Sequence, residues 1–530
     1  MQKILLLFLL FPSQLLAQNT IGLPEIINYP KQVYKAGLQN WDFKQDKNGL
    51  IYSANNEGLL SFDGKFWKLY PLPNKTIVRS LEIAIDQKIY VGGQDELGFF
   101  APNAKGKLQF QSLTHTIAQK DQSFGDVWDI IAHNKDIFFR TPNKIFRYSN
   151  GSMASFDPSS EWSFMGLCEG KIFAQDKISG LMQFKNEVFT TVLASTQLLE
   201  NDPVTSMLSL SKDTVMLTTL RNGLQYLVGN NLTPLTTSNN ILFKNERIYA
   251  AAKINENRIA LATSTNGVYI INKQGMIMQK FSKDQGLQNK NVLSIFVDQQ
   301  QHLWLGLDNG IDLIAYNSAI KQINPQLQDA SGYTALVFKN QLFAGTSGGL
   351  YTVPLQSIED LSFSLGNFSF VNNSKGQVWN LSEVNDQLLM GHHDGAFVIN
   401  KNSAQSFTSP PGAWNFIPMG TIFPAKELLI GHYNGISIFN YSSNAFTLLQ
   451  NIPDFIESSR FVAIDKQNNT WVSHPYHGVY RISKTTNGKF VVKAYGQQHG
   501  LPSSFNNHVY KIKNEVEVCT EKGIYSHDAA

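Results

Sequence analysis

Leu303-Trp304-Leu305-Gly306-Leu307-Asp308-Asn309-Gly310-Ile311 reads as an apolar strand, a tight turn ending in glycine and the start of a second strand. The same order returns at Leu428–Ile436, Leu388–Ala396 and Val215–Leu224. The turn position falls at Gly58, Gly98, Lys144, Gly180, Gly223, Gly267, Gly310, Gly349, Gly395, Gly435, Gly478 and Gly523. The mean step is roughly 42 residues, the period of four-stranded propeller blades. Around the quoted stretch, Asn291–Val297 supplies a preceding strand, Asp298–Gln301 its turn and Ile311–Tyr316 a following strand. The fourth strand is less regular and aromatic, as in Lys65–Tyr70.

A sheet of this kind cannot bury both faces alone, so successive repeats must stack radially. The sequence therefore predicts an all-β fold of tandem β-propellers, built from about twelve four-stranded blades. One ring of that size exceeds the usual four to eight blades, so two rings are expected. We place the first at 18–325, with about seven blades, and the second at 326–530, with about five. The last repeat reaches only its third strand at Gly523–Ser526, so the second ring is expected to be incomplete.

The chain has 530 residues, a formal charge of +3 and only 16% charged residues, without a block of like sign. A phosphate-binding surface needs clustered Lys and Arg, so nucleic acid is not an expected partner of this region. Residues 1–17 combine Lys3, an apolar run from Ile4 to Phe11 and Ala17 before a cleavage point, which is the pattern of a secretory signal. The mature chain is expected to start at Gln18, in the periplasm. Only Cys168 and Cys519 are present, both among strand residues, where free thiols are expected.

The repeat Asn291-Val292-Leu293-Ser294-Ile295, Leu303-Trp304-Leu305-Gly306 and Asn309-Gly310-Ile311 resembles the two-component regulator propeller repeat. The opening Asn40-Trp41-Asp42, Asn55–Leu60 and Phe62-Asp63-Gly64 is similar to the exported sensor regions of Bacteroidetes triple-tyrosine regulators. The resemblance covers essentially the mature chain and is loose in repeats two to four, where Thr141–Lys144 and Asp176–Gly180 replace the usual turn. It implies an extracytoplasmic sensor that binds a small molecule or oligosaccharide. In that family, a membrane helix and a histidine kinase or LuxR-type output follow the propellers. It further implies that this chain is a truncated sensor region, attached to a membrane only through further C-terminal segments, and that the full-length protein forms a homodimer.

Candidate binding residues come from the innermost strands, which line a propeller channel. Trp41-Asp42, Val78-Arg79, Trp128-Asp129, Trp379-Asn380 and Trp414-Asn415 repeat a motif that, where its first residue is aromatic, can stack on a sugar ring and bind its hydroxyls. The same Trp side chains would also fit packing between blades. His392, His432 and His474 occupy one position in three adjacent repeats, where other repeats hold Asn55, Thr219, Thr263, Leu307, Thr346 and Thr520. They form either a ligand-binding arc or a set of strand-end caps. No metal or cofactor is expected: first turns such as Asp46–Gly49 carry one carboxylate each, whereas a calcium loop needs several oxygen donors. No nucleophile elbow or phosphate-binding glycine loop occurs, so no catalytic residue is assigned. An exported lyase or glycan hydrolase remains the alternative, with Asp42 or Asp129 acting with His392 or His432. A protein-binding scaffold is the third reading.

Overall fold

The computed structural model describes residues 22–198, 202–236, 239–325, 330–355, 366–408, 410–420 and 422–528. The leader at 1–17 lies outside them. The described chain divides into two compact units, Leu23–Gln322 and the part from Ile323 onward. Each is built from antiparallel sheets whose strands follow one another in sequence order. Among the described residues, no helix is long and apolar enough to cross a membrane.

In the first unit, six four-stranded sheets begin with strands Asn40–Gln45, Val78–Ile83, Asp129–His133, Trp162–Cys168, Val204–Ser211 and Ile248–Asn255; we call them blades 1 to 6. Blade 7 takes Val292–Val297, Leu303–Leu307 and Ile311–Ile314 from the end of the unit and Ile26–Tyr29 from its start. Ile26 pairs with Ile314 and Tyr29 with Ile311. First strands of successive blades contact one another, and Val292–Val297 contacts Asn40–Gln45, so the circuit returns to blade 1.

The joint between blades 7 and 1 is aromatic. Tyr29 lies 5.3 Å from Phe62, 5.4 Å from Trp67 and 6.0 Å from Trp304. Phe43, Phe62, Trp304 and Ile311 are buried in the same cluster, and each such side chain stabilises the joint by about 1.5–3 kcal/mol. The polar groups beside it are satisfied. Asp312 is fully buried, and its carboxylate accepts from Asn28 Nδ2 (2.7 Å), Gln288 Nε2 (2.7 Å) and Gln288 N (2.9 Å).

Four sheets and one three-stranded sheet build the second unit. They begin with Gly332–Phe338, Val378–Val384, Ala413–Met419, Phe461–Ile464 and His508–Ile512 and are blades 8 to 12. Their first strands contact in order, from blade 8 to blade 12.

The repeat's residues now have physical reasons. Asp298 caps the first turn of blade 7 by accepting from the backbone N of Gln300 (2.9 Å) and His302 (2.8 Å), and Trp304 Nε1 donates to its other oxygen (3.0 Å). Asp465 repeats this with Gln467, Asn469 and Trp471. Gly306 and Gly431 sit in second strands because the next first strand lies against them. A Cβ on Gly306 would stand 2.3 Å from Asn40 O, and one on Gly431 2.2 Å from Ser459 O. Cys168 and Cys519 are both free.

Gly306→Ala is expected to destabilise the first unit by about 1–3 kcal/mol, the usual cost of overpacking. Gly332→Ala, where a Cβ meets nothing within 4 Å, is expected to change stability by less than about 0.5 kcal/mol. Denaturant unfolding of the two variants checks the difference.

Candidate functional site

A single local irregularity recurs in the first strands and sets the site. In blade 1, Asn40 pairs with Asn55 and Asp42 with Ala54, leaving Trp41 as an extra, unpaired residue. The same register shift leaves Arg79, Ser163, Thr205, Tyr249 and Leu293 unpaired in blades 2, 4, 5, 6 and 7. In blade 3, Trp128 precedes the strand and its N–H donates to Arg140 O at 2.8 Å. A bulge bends the strand and re-aims one side chain. Here the re-aimed residues all line one cavity of about 1140 Å³, one from every blade of the unit.

Aromatic and ionic groups share one side of this cavity. The Arg79 guanidinium lies 4.2 Å from the Trp41 ring centre and 4.5 Å from that of Trp128. Its Nε donates to Asp126 at 3.0 Å, and its buried Nη1 has no partner. The two indoles meet edge to face at 6.1 Å. Cation–π contact with two indoles set roughly at right angles around it holds the guanidinium and both rings together as a clamp.

Around the clamp, Lys44 pairs with Glu82 at 2.9 Å. Asp129 pairs with Arg140, whose Nη1 donates to Trp162 O at 2.9 Å. Asp42 has no such close cation. It accepts from the N–H of Phe43 (2.8 Å) and Leu81 (3.3 Å). Burial pushes its pKa up to about 6, with Lys44 opposing and Glu82 adding to the shift. Burial alone would lower Lys44, but Glu82 and Asp42 outweigh it and hold the ammonium above its ordinary range. Burial also raises the Tyr249 phenol.

The residue after the bulge ties blades together. Asp42 reaches Leu81 of blade 2, Ser80 Oγ donates to Val127 O (2.7 Å), and Asp129 accepts from Met165 N (2.9 Å). In the second unit, Asn415 donates to Ser459 O and Arg460 O, both at 3.0 Å. The bulged residue thus faces the channel while its neighbour fixes the joint.

Tyr333, Trp379 and Trp414 are the bulged residues of blades 8, 9 and 10. With Asn380, Arg460 and Phe461 they line a cleft of about 190 Å³. Trp379 lies 4.8 Å from Tyr333 and 5.1 Å from Trp414. Arg460 lies over Trp414 at 5.1 Å, and Trp379 Nε1 donates to Tyr433 Oη at 2.7 Å. Trp41, Trp128, Trp379 and Trp414 are all half-buried, so none is enclosed between blades.

The three candidate histidines do not converge among the described residues. His392 and His432 are each only 1% exposed, and burial lowers the pKa of both. His392 Nδ1 accepts from Asp394 N (3.1 Å) and His474 Nδ1 from Tyr476 N (3.2 Å). Thr263 and Thr346 do the same for Asn266 N and Gly348 N, both at 3.1 Å. His432 Nδ1 instead meets Gly412 O at 2.8 Å.

Sequence reading missed Ser163, Thr205, Tyr249, Leu293, Tyr333 and Arg460. Their signal was positional: each stands at a nearly constant distance ahead of its turn glycine, whatever its chemistry.

No family model and no curated protein matches the chain. Solved structures do. The extracellular domain of a protein named as a hybrid two-component system, BT3049 of B. thetaiotaomicron, superposes with a TM-score of 0.68 at 17% identity. The match covers 96% of this chain and 71% of that one. The extracellular domain named for BT4673 of the same organism gives 0.47 at 17% identity over 96% and 79%. Virginiamycin B lyase of Staphylococcus aureus gives 0.43 at 13% identity over 55% and 97%. The chain therefore shares its tandem propeller fold with a bacterial sensor's extracellular domain.

Asp42 provides a pH test of the site. Its folded pKa of about 6 lies above the ordinary 3.8, so its contribution to stability is full below about pH 4 and is lost as pH rises through 6. Asp42→Asn is therefore expected to be the more stable form at pH 7.5, by up to about 3 kcal/mol. This advantage should vanish at pH 4, as measured by unfolding at both pH values.

Proposed function

We propose that this chain is the extracytoplasmic ligand-sensing part of a transmembrane regulator, of two-component or LuxR type. It binds a small molecule or glycan in the first unit's cavity without transforming it. The observation that carries this reading is the convergence of one residue from each of seven blades on that cavity, six of them at bulges, with Trp41 and Trp128 clamped by Arg79. Half-buried indoles offer apolar surface to a sugar ring, while Asp42, Tyr249 and the polar bulge residues offer hydrogen bonds to its hydroxyls. The secretory pattern of 1–17 supports a periplasmic site. The full-length regulator would reach the membrane and dimerise through segments beyond these units.

A non-catalytic role is favoured by how the cavity's carboxylates are used. Glu82, Asp129 and Glu161 are committed to Lys44, Arg140 and Lys177, Asp176 and Asp202 accept from backbone N–H groups of nearby turns, and no histidine is among the described residues lining the cavity. Asp42 is left as a single raised carboxyl, whereas hydrolysis or elimination needs an acid and a base. His392 and His432, the partners that an enzyme would require, belong to the second unit.

A thermal-shift screen of the chain from Gln18 against neutral and acidic oligosaccharides and amino acids tests this reading. A ligand at 100 times its Kd stabilises the folded form by about 2.7 kcal/mol. The expected result is a shift with one ligand class that is lost in Trp41→Ala and in Arg79→Ala but retained in Trp414→Ala. A shift lost only in Trp414→Ala would move the site to the second unit. Turnover of the bound compound would replace the sensor reading with the enzyme.

A further inference from the structure

Away from both cavities, blade 11 carries His474 at the end of its second strand and His477 in the turn that follows. The connection entering that blade carries Glu457, whose carbonyl accepts from Gly435 N of blade 10 at 3.0 Å. Glu457 Oε2 stands 2.8 Å from His477 Nδ1 and 3.9 Å from His474 Nε2. One donor atom from each of the three residues lies within 4.8 Å of the others. We propose that Glu457, His474 and His477 form a binding site for a divalent transition cation of the zinc class, joining blades 10 and 11.

Donor chemistry, spacing and support all favour this assignment. Two imidazoles and one carboxylate are the set that borderline cations take, with a fourth position left to water. His477 is 55% exposed, which gives a cation a way in. A triangle with edges of 2.8, 3.9 and at most 4.8 Å holds a point about 2.4 Å from each corner, close to zinc bonds of about 2.0–2.2 Å. Tyr480 Oη donates to Glu457 Oε1 at 3.2 Å, which orients the carboxylate and leaves Oε2 to the imidazoles.

Loading requires two local changes. The His474 and His477 rings stack at 4.2 Å with 15° between their planes. A bound cation lies in the plane of each imidazole, so the exposed His477 ring must turn out of the stack. His474 Nδ1 accepts the Tyr476 N–H at 3.2 Å, which leaves the neutral ring's proton on Nε2. That proton must pass to Nδ1, and the hydrogen bond to Tyr476 must be given up. His477 Nδ1 donates its own proton to Glu457 in the space the cation would take, so in the neutral ring that proton must likewise move, to Nε2, before Nδ1 can bind.

The test is titration of the chain from Gln18 with Co²⁺, followed by its visible absorption, with Zn²⁺ as competitor. One saturable equivalent is expected, displaced by Zn²⁺. His477→Ala and Glu457→Gln should each weaken binding by about tenfold or more, while His115→Ala in the first unit should leave it unchanged. Melting curves without metal establish that the variants fold. Glu457→Gln keeps an oxygen for Tyr480, so it decides the matter if His477→Ala does not fold. No saturable absorption with the unsubstituted chain, or wild-type affinity in either folded variant, would overturn the proposal.

Discussion

The four-stranded sheets of the first unit have two apolar faces, and its architecture depends on covering both. A four-stranded sheet buries one face against the blade before it and the other against the blade after it, so the arrangement is complete only when the last blade meets the first. In the first unit this happens at the joint between Val292–Val297 and Asn40–Gln45. The chain completes blade 7 with its own opening strand, Ile26–Tyr29. That choice ties the two ends of the unit together through backbone pairing, so neither end can separate without opening the Tyr29, Phe62, Trp67 and Trp304 cluster. Buried Asp312 adds specificity to the joint, because any other pairing would leave its carboxylate without Asn28 and Gln288.

The same stacking supplies the site. Packing demands that first strands lie side by side around a channel, and a flat strand would point alternate residues into the two joints. The bulge breaks that alternation at one place in most blades and gives the channel a side chain that the joints do not need. Asp42 and Asp129 then use the residue after the bulge to hold the next blade's backbone. The Arg79 clamp is fixed by Asp126 and by two indoles set at right angles to each other. Few rotatable groups remain to be ordered on binding, which lowers the entropy cost of recognition.

Much of this was legible in the sequence, and the limits have a physical origin. Turn glycines and apolar runs repeat because backbone geometry and close approach demand them, as at Gly306 against Asn40, and such demands leave an unambiguous mark. Trp41, Arg79 and Trp128 were found because their chemistry stands out at the right position. Ser163, Thr205 and Leu293 occupy the equivalent position without distinctive chemistry, and a bulge leaves no mark in a period-two pattern except its disturbance. The contact of Arg79 with two indoles was also illegible, since Trp41, Arg79 and Trp128 come from three repeats and meet only across the channel. For the histidines, the shared position was readable but its meaning was not. His392 and His474 replace Thr as turn caps, and the partners that make His474 unusual, Glu457 and His477, come from a connection and a turn outside the repeat's fixed positions.

Stability in both units is built joint by joint. In a circuit, each joint is supported from both directions, and loss of one still leaves a connected arc. In the second unit the first-strand contacts run in order from blade 8 to blade 12, and the stability of such a stack is close to a sum over neighbouring joints. The joint between blades 10 and 11 carries several polar links. Asn415 spans it with bonds to Ser459 O and Arg460 O, and Ser459 O also lies where a side chain on Gly431 would fall. Trp414 and Arg460 stack across the same line. Glu457 adds a third link there, since its backbone is held by blade 10 and its side chain by His477 and Tyr480 of blade 11. The joint between blades 9 and 10 is tied in the same way, Asn385 exchanging two hydrogen bonds with the Ala425 backbone and Trp379 donating to Tyr433, so polar cross-links accompany the apolar packing at successive joints rather than being confined to one.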